Sequence, residues 1–203
     1  MCMEHVTACY WQKEAAPGLF LRIQQRRYRR RETSVVLACI SDNGAQTKDL
    51  QEKMEEELDG SDIWKTREER MQEKWTEFMV GQSKDSNCAG ILCVENRFLL
   101  FSRGRMNICG FFNRFGRTDW KVWKNQCIVG EVEPGTAILL ADNAFLNFCE
   151  EELAACLRPG SIGRDSLTER EMRAQKRLEE LGRKAEHEGG KHMGAVWILP
   201  VIE

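Results

Sequence analysis

Residues 34–44 read SVVLACISDNG, a continuous apolar run that stops at a cluster of turn residues. A run of this kind, rich in β-branched residues and without polar alternation, predicts a strand that is buried on both faces. The turn that follows places the carboxylate of Asp42 at the end of that strand. Residues 136–145, TAILLADNAF, repeat the pattern and place Asp142 at the end of a second strand. The sequence therefore predicts two buried strands that each end in an aspartate.

The elements around these two strands fall into blocks. Residues 6–12 and 19–25 flank a Pro-Gly turn and predict a β-hairpin. Further strands are predicted at 88–94, 98–102, 106–112, 120–123, 127–132 and 195–202, the first two as a hairpin, and helices at 48–58, from Asp62 onward, at 150–157 and at 166–187. Strands and helices segregated in this way indicate the α+β class, with helices covering the faces of sheets. At this length we expect a single domain, residues 1–203.

The predicted helix at residues 166–187 is mostly polar. Its few apolar positions are Leu167, Met172, Leu178 and Leu181. Because these positions are sparse, we expect this helix to lie on the surface of the domain.

The composition narrows the range of partners. The formal net charge of −2 argues against a general nucleic-acid binder, because affinity for a phosphate backbone needs a surplus of positive charge. The chain has no apolar run of membrane-spanning length. Most of its nine cysteines fall within apolar, strand-like runs, whereas a disulfide scaffold would place them in loops. We therefore expect buried, reduced thiols, a cytoplasmic protein, and neither a membrane nor a nucleic acid as partner.

The order of the elements, with an acidic turn after two buried strands, resembles that of the metal-dependent (PPM, type 2C) protein phosphatases. That family folds as a β-sandwich flanked by helices, so the resemblance implies a four-layer α+β architecture. The segment ISDNG at residues 40–44 is similar to the family's strand ending in Asp-Gly-Met-Gly-Gly, and Asp42 falls on its metal-ligating aspartate. The segment LLADNAF at residues 139–145 is similar to the second metal strand, with Asp142 on its aspartate. In the family, such carboxylates hold two manganese or magnesium ions that activate a water as the nucleophile at phosphorus.

Two segments depart from the family pattern. The motif similar to Gly-Asp-Ser-Arg reads GRMN at residues 104–107, and the closing Asp-Asn reads KH at residues 191–192. Arg105 and Lys191 are thus cations where the resemblance implies metal carboxylates. A dication about 4 Å from one misplaced cation, at an effective dielectric constant of about 20, is opposed by roughly 8 kcal/mol. We therefore expect no two-metal centre and no tightly bound cofactor.

The same residues have other interpretations. Asp42 and Asp142 are either remnant positions that still bind one manganese or magnesium ion weakly, or turn acids at strand ends with no metal role. Arg105 and Lys191 are candidate counter-ions of these aspartates or candidate ligands of a phosphate group. The basic run at residues 26–31, RRYRRR, is either a phosphate- or acid-binding patch or a solvated hairpin loop.

These observations favour a pseudophosphatase, a degenerate type 2C phosphatase-like domain that acts in binding or regulation within bacterial Ser/Thr phosphorylation signalling. A protein partner or a phosphoprotein is the expected ligand. One alternative is an active, divergent metal-dependent Ser/Thr phosphatase with one metal ion or a rearranged ligand set. The other is an unrelated α+β interaction domain in which the two Asp turns are coincidental.

Overall fold

A computed structural model describes residues 3–12, 18–28, 31–59, 68–82, 85–94, 97–114, 117–131, 136–143, 145–147, 167–187 and 194–202. In chain order the strands are β1 (Met3–Gln12), β2 (Leu19–Tyr28), β3 (Arg31–Ser41), β4 (Cys88–Val94), β5 (Arg97–Arg103), β6 (Met106–Arg114), β7 (Arg117–Lys124), β8 (Cys127–Glu131), β9 (Ala137–Asp142) and β10 (Gly194–Ile202). The longer helices are α1 (Gly44–Asp59), α2 (Glu68–Gly81) and α3 (Leu167–His187).

The strands form two antiparallel sheets of five strands each in the described part of the chain. Sheet A has the order β1-β10-β9-β6-β7, and sheet B has the order β2-β3-β4-β5-β8. The sheets face each other across one apolar cluster to which both contribute. Helices α1 and α2 cover the outer face of sheet B, and α3 covers the outer face of sheet A. The predicted α+β sandwich with flanking helices is confirmed.

Strand β3 is buried on both faces, as its continuous apolar run predicts. Successive side chains of a strand point to opposite faces, so each face receives every second residue. The side chains that face sheet A are Val36, Ala38 and Ile40. Those that pack beneath α1 and α2 are Val35, Leu37 and Cys39. Both faces are apolar because β3 lies inside a four-layer structure.

The helical layers bury narrow apolar stripes. On the sheet B side, Trp75 of α2 is fully buried and stacks on Phe101, with ring centroids 5.0 Å apart. On the sheet A side, the buried residues of α3 are Ala174, Leu178, Leu181 and Ala185. The expectation that this helix would lie on the surface holds only for its outer side. Its inner side reaches the sheet partly through small alanines, which a search for large apolar residues overlooks.

The predicted hairpin between residues 6–12 and 19–25 is wrong, although both strands exist. Strand β1 pairs with β10 in sheet A, whereas β2 pairs with β3 in sheet B. The oxygen of Gly18 accepts a hydrogen bond from the backbone nitrogen of Ser41 at 2.9 Å, which holds the start of β2 against the end of β3. A turn signal marks a change of direction and leaves open whether the next strand joins the same sheet.

Other sequence expectations have mixed outcomes. The predicted hairpin of β4 and β5 is confirmed by a register that pairs Val94 with Arg97. The Asp62 helix start and the helix at 150–157 lie outside the described residues. No helix in the described ranges is both long and apolar enough to cross a membrane.

Candidate functional site

The two predicted aspartates, Asp42 and Asp142, lie at the same end of the sandwich. Asp42 directly follows β3, and its Oδ2 accepts a hydrogen bond from Nδ2 of Asn87. The Oδ1 of Asn87 accepts the backbone N–H of Arg105 at 2.8 Å. The oxygen of Arg105 in turn accepts the backbone N–H of Asn143, which follows Asp142 at the end of β9, at 3.0 Å. We call this region the polar end: the β3–α1 junction, the β5–β6 and β7–β8 turns, and the end of β9.

The junction that holds Asp42 is fixed by capping. The Oδ1 of Asn43 accepts the backbone N–H of Ala45 at 2.9 Å, the hydrogen bond of an N-cap at the start of α1. The buried hydroxyl of Ser41 lies 2.7 Å from that of Thr47 and donates to the oxygen of Asn43 at 2.6 Å. Asparagine at this position, where the type 2C pattern has glycine, therefore has a structural role in starting the helix.

Asp142 is also a capping residue. Its side chain is almost completely buried, and its Oδ1 accepts the backbone N–H of Phe145 at 2.8 Å. This is an N-cap bond to the short helical segment that follows β9. One carboxylate oxygen of Asp142 is thereby used to start a helix, which is the role that the turn-acid interpretation expects.

Arg105 lies in the tight turn between β5 and β6. Gly104 has a φ of 68°, in the left-handed region, and a Cβ there would lie 2.3 Å from Oδ1 of Asn87. The N–H of Gly104 donates to Oδ1 of Asn125 at 2.6 Å, which ties this turn to the β7–β8 turn. The side chain of Arg105 is exposed and forms no ion pair with Asp42 or Asp142 in the described part of the chain. Arg105 is therefore not the counter-ion of the two aspartates in this structure.

The other predicted cations are Lys191 and the arginines of the basic run. Lys191 and its neighbour His192 lie outside the described residues. The basic run at residues 26–31 spans the β2–β3 hairpin, in which Tyr28 pairs with Arg31, and residues 29 and 30 are not described. This hairpin lies at the opposite end of β3 from Asp42, roughly 33 Å away at about 3.3 Å per residue. The described backbone of the basic run, residues 26–28 and 31, therefore lies away from the polar end.

Sequence reasoning missed three asparagines of this site, Asn87, Asn107 and Asn125. Asn107 is fully buried, and its Nδ2 donates to the oxygen of Arg105 at 3.3 Å and to Oδ1 of Asn143. The sequence contained a signal for Asn107, which is a polar residue in an apolar strand. The structure explains Asn125, whose φ of 51° is a conformation that asparagine tolerates better than most residues.

A thiol lies beside Asp42 but is not a nucleophile. Burial raises the pKa of Cys88 to about 12, with a smaller lowering effect from Arg103 and a small raising effect from Asp42. Because the thiolate is the reactive form, Cys88 stays protonated and inert at neutral pH.

Comparison with known structures gives the fold. By sequence alone the chain matches no protein-family profile and no curated protein. The S. agalactiae serine/threonine phosphatase is similar over 98% of this chain and 100% of its own, with a TM-score of 0.54 and 14% identity. The Mycobacterium tuberculosis serine/threonine phosphatase PstP/Ppp is similar over 98% and 99%, with a TM-score of 0.54 and 11% identity. The SpoIIE phosphatase domain from Bacillus subtilis is similar over 96% and 90%, with a TM-score of 0.53 and 11% identity.

The chain has the type 2C (PPM) phosphatase fold. This confirms the resemblance of the element order and removes the alternative of an α+β domain with another fold. In a type 2C fold, the ends of the two strands that carry Asp42 and Asp142 are the positions at which the resemblance implies metal ligands.

The described residues of this chain do not fit a two-metal centre. Hard dications need several oxygen ligands and a negative site. In the part of the chain that the structure describes, no group of three His, Cys, Asp or Glu side chains is arranged to hold a metal ion. Oδ2 of Asp42 accepts from an amide, and Oδ1 of Asp142 accepts from a backbone N–H. In the β5–β6 turn, where the resemblance implies a further metal-ligating carboxylate, the chain has Arg105. The positive charge of this residue opposes a metal ion.

Proposed function

We propose that this chain is a pseudophosphatase, a type 2C-like domain that does not hydrolyse phosphate and acts by binding within Ser/Thr phosphorylation signalling. The observation that carries the proposal is the β5–β6 turn. Arg105 stands there in place of the expected aspartate, and Asn87 and Asn143 hold its backbone in position. The backbone of this turn is bonded to Asn87 and Asn143, so the turn brings a cation and no carboxylate to the polar end, which lowers its affinity for a dication.

The proposal extends to the setting of the protein. The fold is shared with bacterial serine/threonine phosphatases, which supports a role in phosphorylation signalling. Cys39, Cys88 and Cys127 are buried thiols in the layer beneath α1 and α2, as in proteins of a reducing compartment. We therefore infer a cytoplasmic protein that has a protein partner.

An active, divergent phosphatase is the second candidate. The observation that favours it is that Asp42 and Asp142 both lie at the polar end and are joined through the turn of Arg105. One manganese or magnesium ion bound by these two carboxylates would be the minimal remaining centre. Lys191, a cation where the resemblance implies a metal carboxylate, would oppose that ion if it lay nearby.

Turnover separates the two candidates. We expect hydrolysis of p-nitrophenyl phosphate and of phosphoserine peptides to stay at background in millimolar manganese, because the site lacks the ligands to activate a water. The measurement is a phosphate-release assay, with the Asp142→Ala protein as control. Manganese-dependent release that disappears in Asp142→Ala would contradict the pseudophosphatase.

A binding measurement tests the same point without activity. We expect manganese to leave the melting temperature of the wild-type protein unchanged and to raise that of Arg105→Asp, because the variant adds a carboxylate next to the two aspartates. The exposed position of Arg105 makes the metal-free stability of this variant close to that of the wild type. A manganese-dependent melt of the wild-type protein would favour the active alternative.

A further inference from the structure

The charge of the chain is unevenly distributed. Helices α1 and α2 together carry ten acidic residues against four basic ones, a net charge of −6. Residues 97–131, which contain β5 to β8, carry seven basic residues against two acidic ones, a net charge of +5. The overall charge of −2 therefore hides one acidic layer and one basic segment.

Part of the positive charge collects on two neighbouring turns of the polar end. Arg103 and Arg105 flank Gly104 in the β5–β6 turn, and Lys124 ends β7. The two turns are bonded to each other through Gly104 and Asn125 at 2.6 Å. A second bond joins the backbone N–H of Ser102 to the oxygen of Gln126 at 2.9 Å. We call Arg103, Arg105 and Lys124 the basic turns.

The described part of the chain supplies no ion-pair partner for the basic turns. Of the described residues, none forms an ion pair with Arg103, Arg105 or Lys124. The helices behave differently, since Lys48 and Arg183 each pair with a glutamate one turn away. Asp42 and Asp142, which lie at the same end of the sandwich, are held by an amide and by a backbone N–H.

The turns present these cations from a fixed backbone. The N–H of Arg105 is bonded to Asn87, and its oxygen accepts bonds from Asn107 and Asn143. The side chains of Arg105 and Lys124 are exposed, and that of Arg103 is partly exposed. A charged group on a rigid turn loses less conformational freedom on binding than one on a flexible loop.

We propose that the basic turns are a docking surface for an acidic segment of a partner protein, with a run of aspartates or glutamates. The planar fork of an arginine meets both oxygens of a carboxylate, so the two arginines suit carboxylate groups. Three cations on two adjacent turns match the few carboxylates that a short acidic segment carries. A long polyanion such as RNA, or an anionic membrane, would also meet the field of the acidic helices, which repels it. The inference names a partner for the binding role proposed above and rests on that role.

The test is a fluorescence-anisotropy titration of the full chain with a labelled glutamate-rich peptide. The comparison peptide carries glutamine at every glutamate position. We expect the glutamate peptide to bind, and its affinity to fall about tenfold in Arg103→Gln/Arg105→Gln/Lys124→Gln, because several weak charge contacts are lost together. The matched control is Lys48→Gln/Lys176→Gln/Arg183→Gln, which removes the same number of positive charges, one from α1 and two from α3. Its affinity for the glutamate peptide should stay within about twofold of that of the wild type. Melting curves confirm that both variants fold.

Several outcomes would overturn the docking surface. They are equal affinity for the glutamate and glutamine peptides, an equal loss in the control variant, or tighter binding of a single-stranded RNA than of the glutamate peptide. Self-association in sedimentation velocity that disappears only in the variant of the basic turns would also overturn it, because the acidic helices of a second copy would then be the occupant. None of these results changes the turnover measurement, so the docking surface and the pseudophosphatase fail separately.

Discussion

At the scale of single residues, side-chain amides organise the polar end. An amide offers a donor and an acceptor from one group, whereas a carboxylate only accepts. Asn87 uses both, since it donates to Asp42 and accepts from the backbone of Arg105. Asn107 donates to the oxygen of Arg105 and to Asn143. These bonds join the ends of β3 and β9 to the start of β4 and to the β5–β6 turn.

We therefore expect Asn87→Ala to lower the free energy of unfolding by about 1–3 kcal/mol, because the carboxylate of Asp42 and the backbone N–H of Arg105 both lose a hydrogen-bond partner. The measurement is urea unfolding followed by circular dichroism. Asn147→Ala, at an exposed position, is the control and should stay within about 0.5 kcal/mol of the wild type. An effect of Asn87→Ala no larger than that of the control would show that the amide bridge contributes nothing to stability.

The sequence was informative about this site only in part. Asp42 and Asp142 could be predicted because each follows a long apolar run, a pattern that is local in the chain. Asn87 could not, because its partners lie 45 residues before it and 18 residues after it, and only the packing of β4 beside β3 and β5 brings them together. The exposed position of the Arg105 side chain depends on the same packing.

At the scale of elements, the sequence predicted which segments are strands or helices better than it predicted which strands pair. The ten strands and the three longer helices of the described ranges were expected from the sequence, since burial on one or both faces of an element produces a periodic pattern of apolar residues. The short helical segment after β9 was not expected. The partner of β1 was not, because β10 lies nearly the whole chain away and a local turn signal pointed to β2 instead. The inner face of α3 was underestimated for a physical reason. Alanines let a helix approach a sheet closely, and they carry little hydrophobic signal of their own.

The packing of α3 makes a prediction with an internal control. Leu178 is fully buried against sheet A, whereas Met172 on the same helix is 60% exposed. We expect Leu178→Ala to cost about 2–5 kcal/mol of unfolding free energy through lost contacts and a cavity. Met172→Ala should cost less than about 0.5 kcal/mol. Similar costs for the two substitutions, measured by urea unfolding, would mean that α3 does not pack on sheet A as described.

At the scale of the whole molecule, four cysteines are buried in the two apolar layers on either side of sheet B. Cys93 lies between the sheets, and Cys39, Cys88 and Cys127 lie beneath α1 and α2. Burial raises the pKa of each of these four thiols from an ordinary value of 9.0 to about 12. Below pH 9 the folded and unfolded chains both keep these protons. As the pH rises from about 9 to about 12, only the unfolded chain loses them.

The stability of the protein should therefore fall in alkaline solution. Between about pH 9 and pH 12 we expect the free energy of unfolding to decrease by up to about 1.4 kcal/mol per pH unit for each thiol. Urea unfolding at a series of pH values measures this slope. In Cys93→Ala the slope should be shallower by the share of one thiol, and an unchanged slope would assign the alkaline loss to other groups.

The position of β10 has a consequence for the order of events during synthesis. This strand lies between β1 and β9, so β1 finds its neighbour only after almost every other described residue has left the ribosome. Sheet B needs no strand after β8 and can form while the chain is still growing. Until β10 is synthesised, the backbone N–H and C=O groups of β1 have no strand partner in sheet A. Such a strand can pair with another extended chain. A nascent chain halted before β10 would therefore leave both edges of β1 unpaired, whereas in the complete sheet β10 covers one of them.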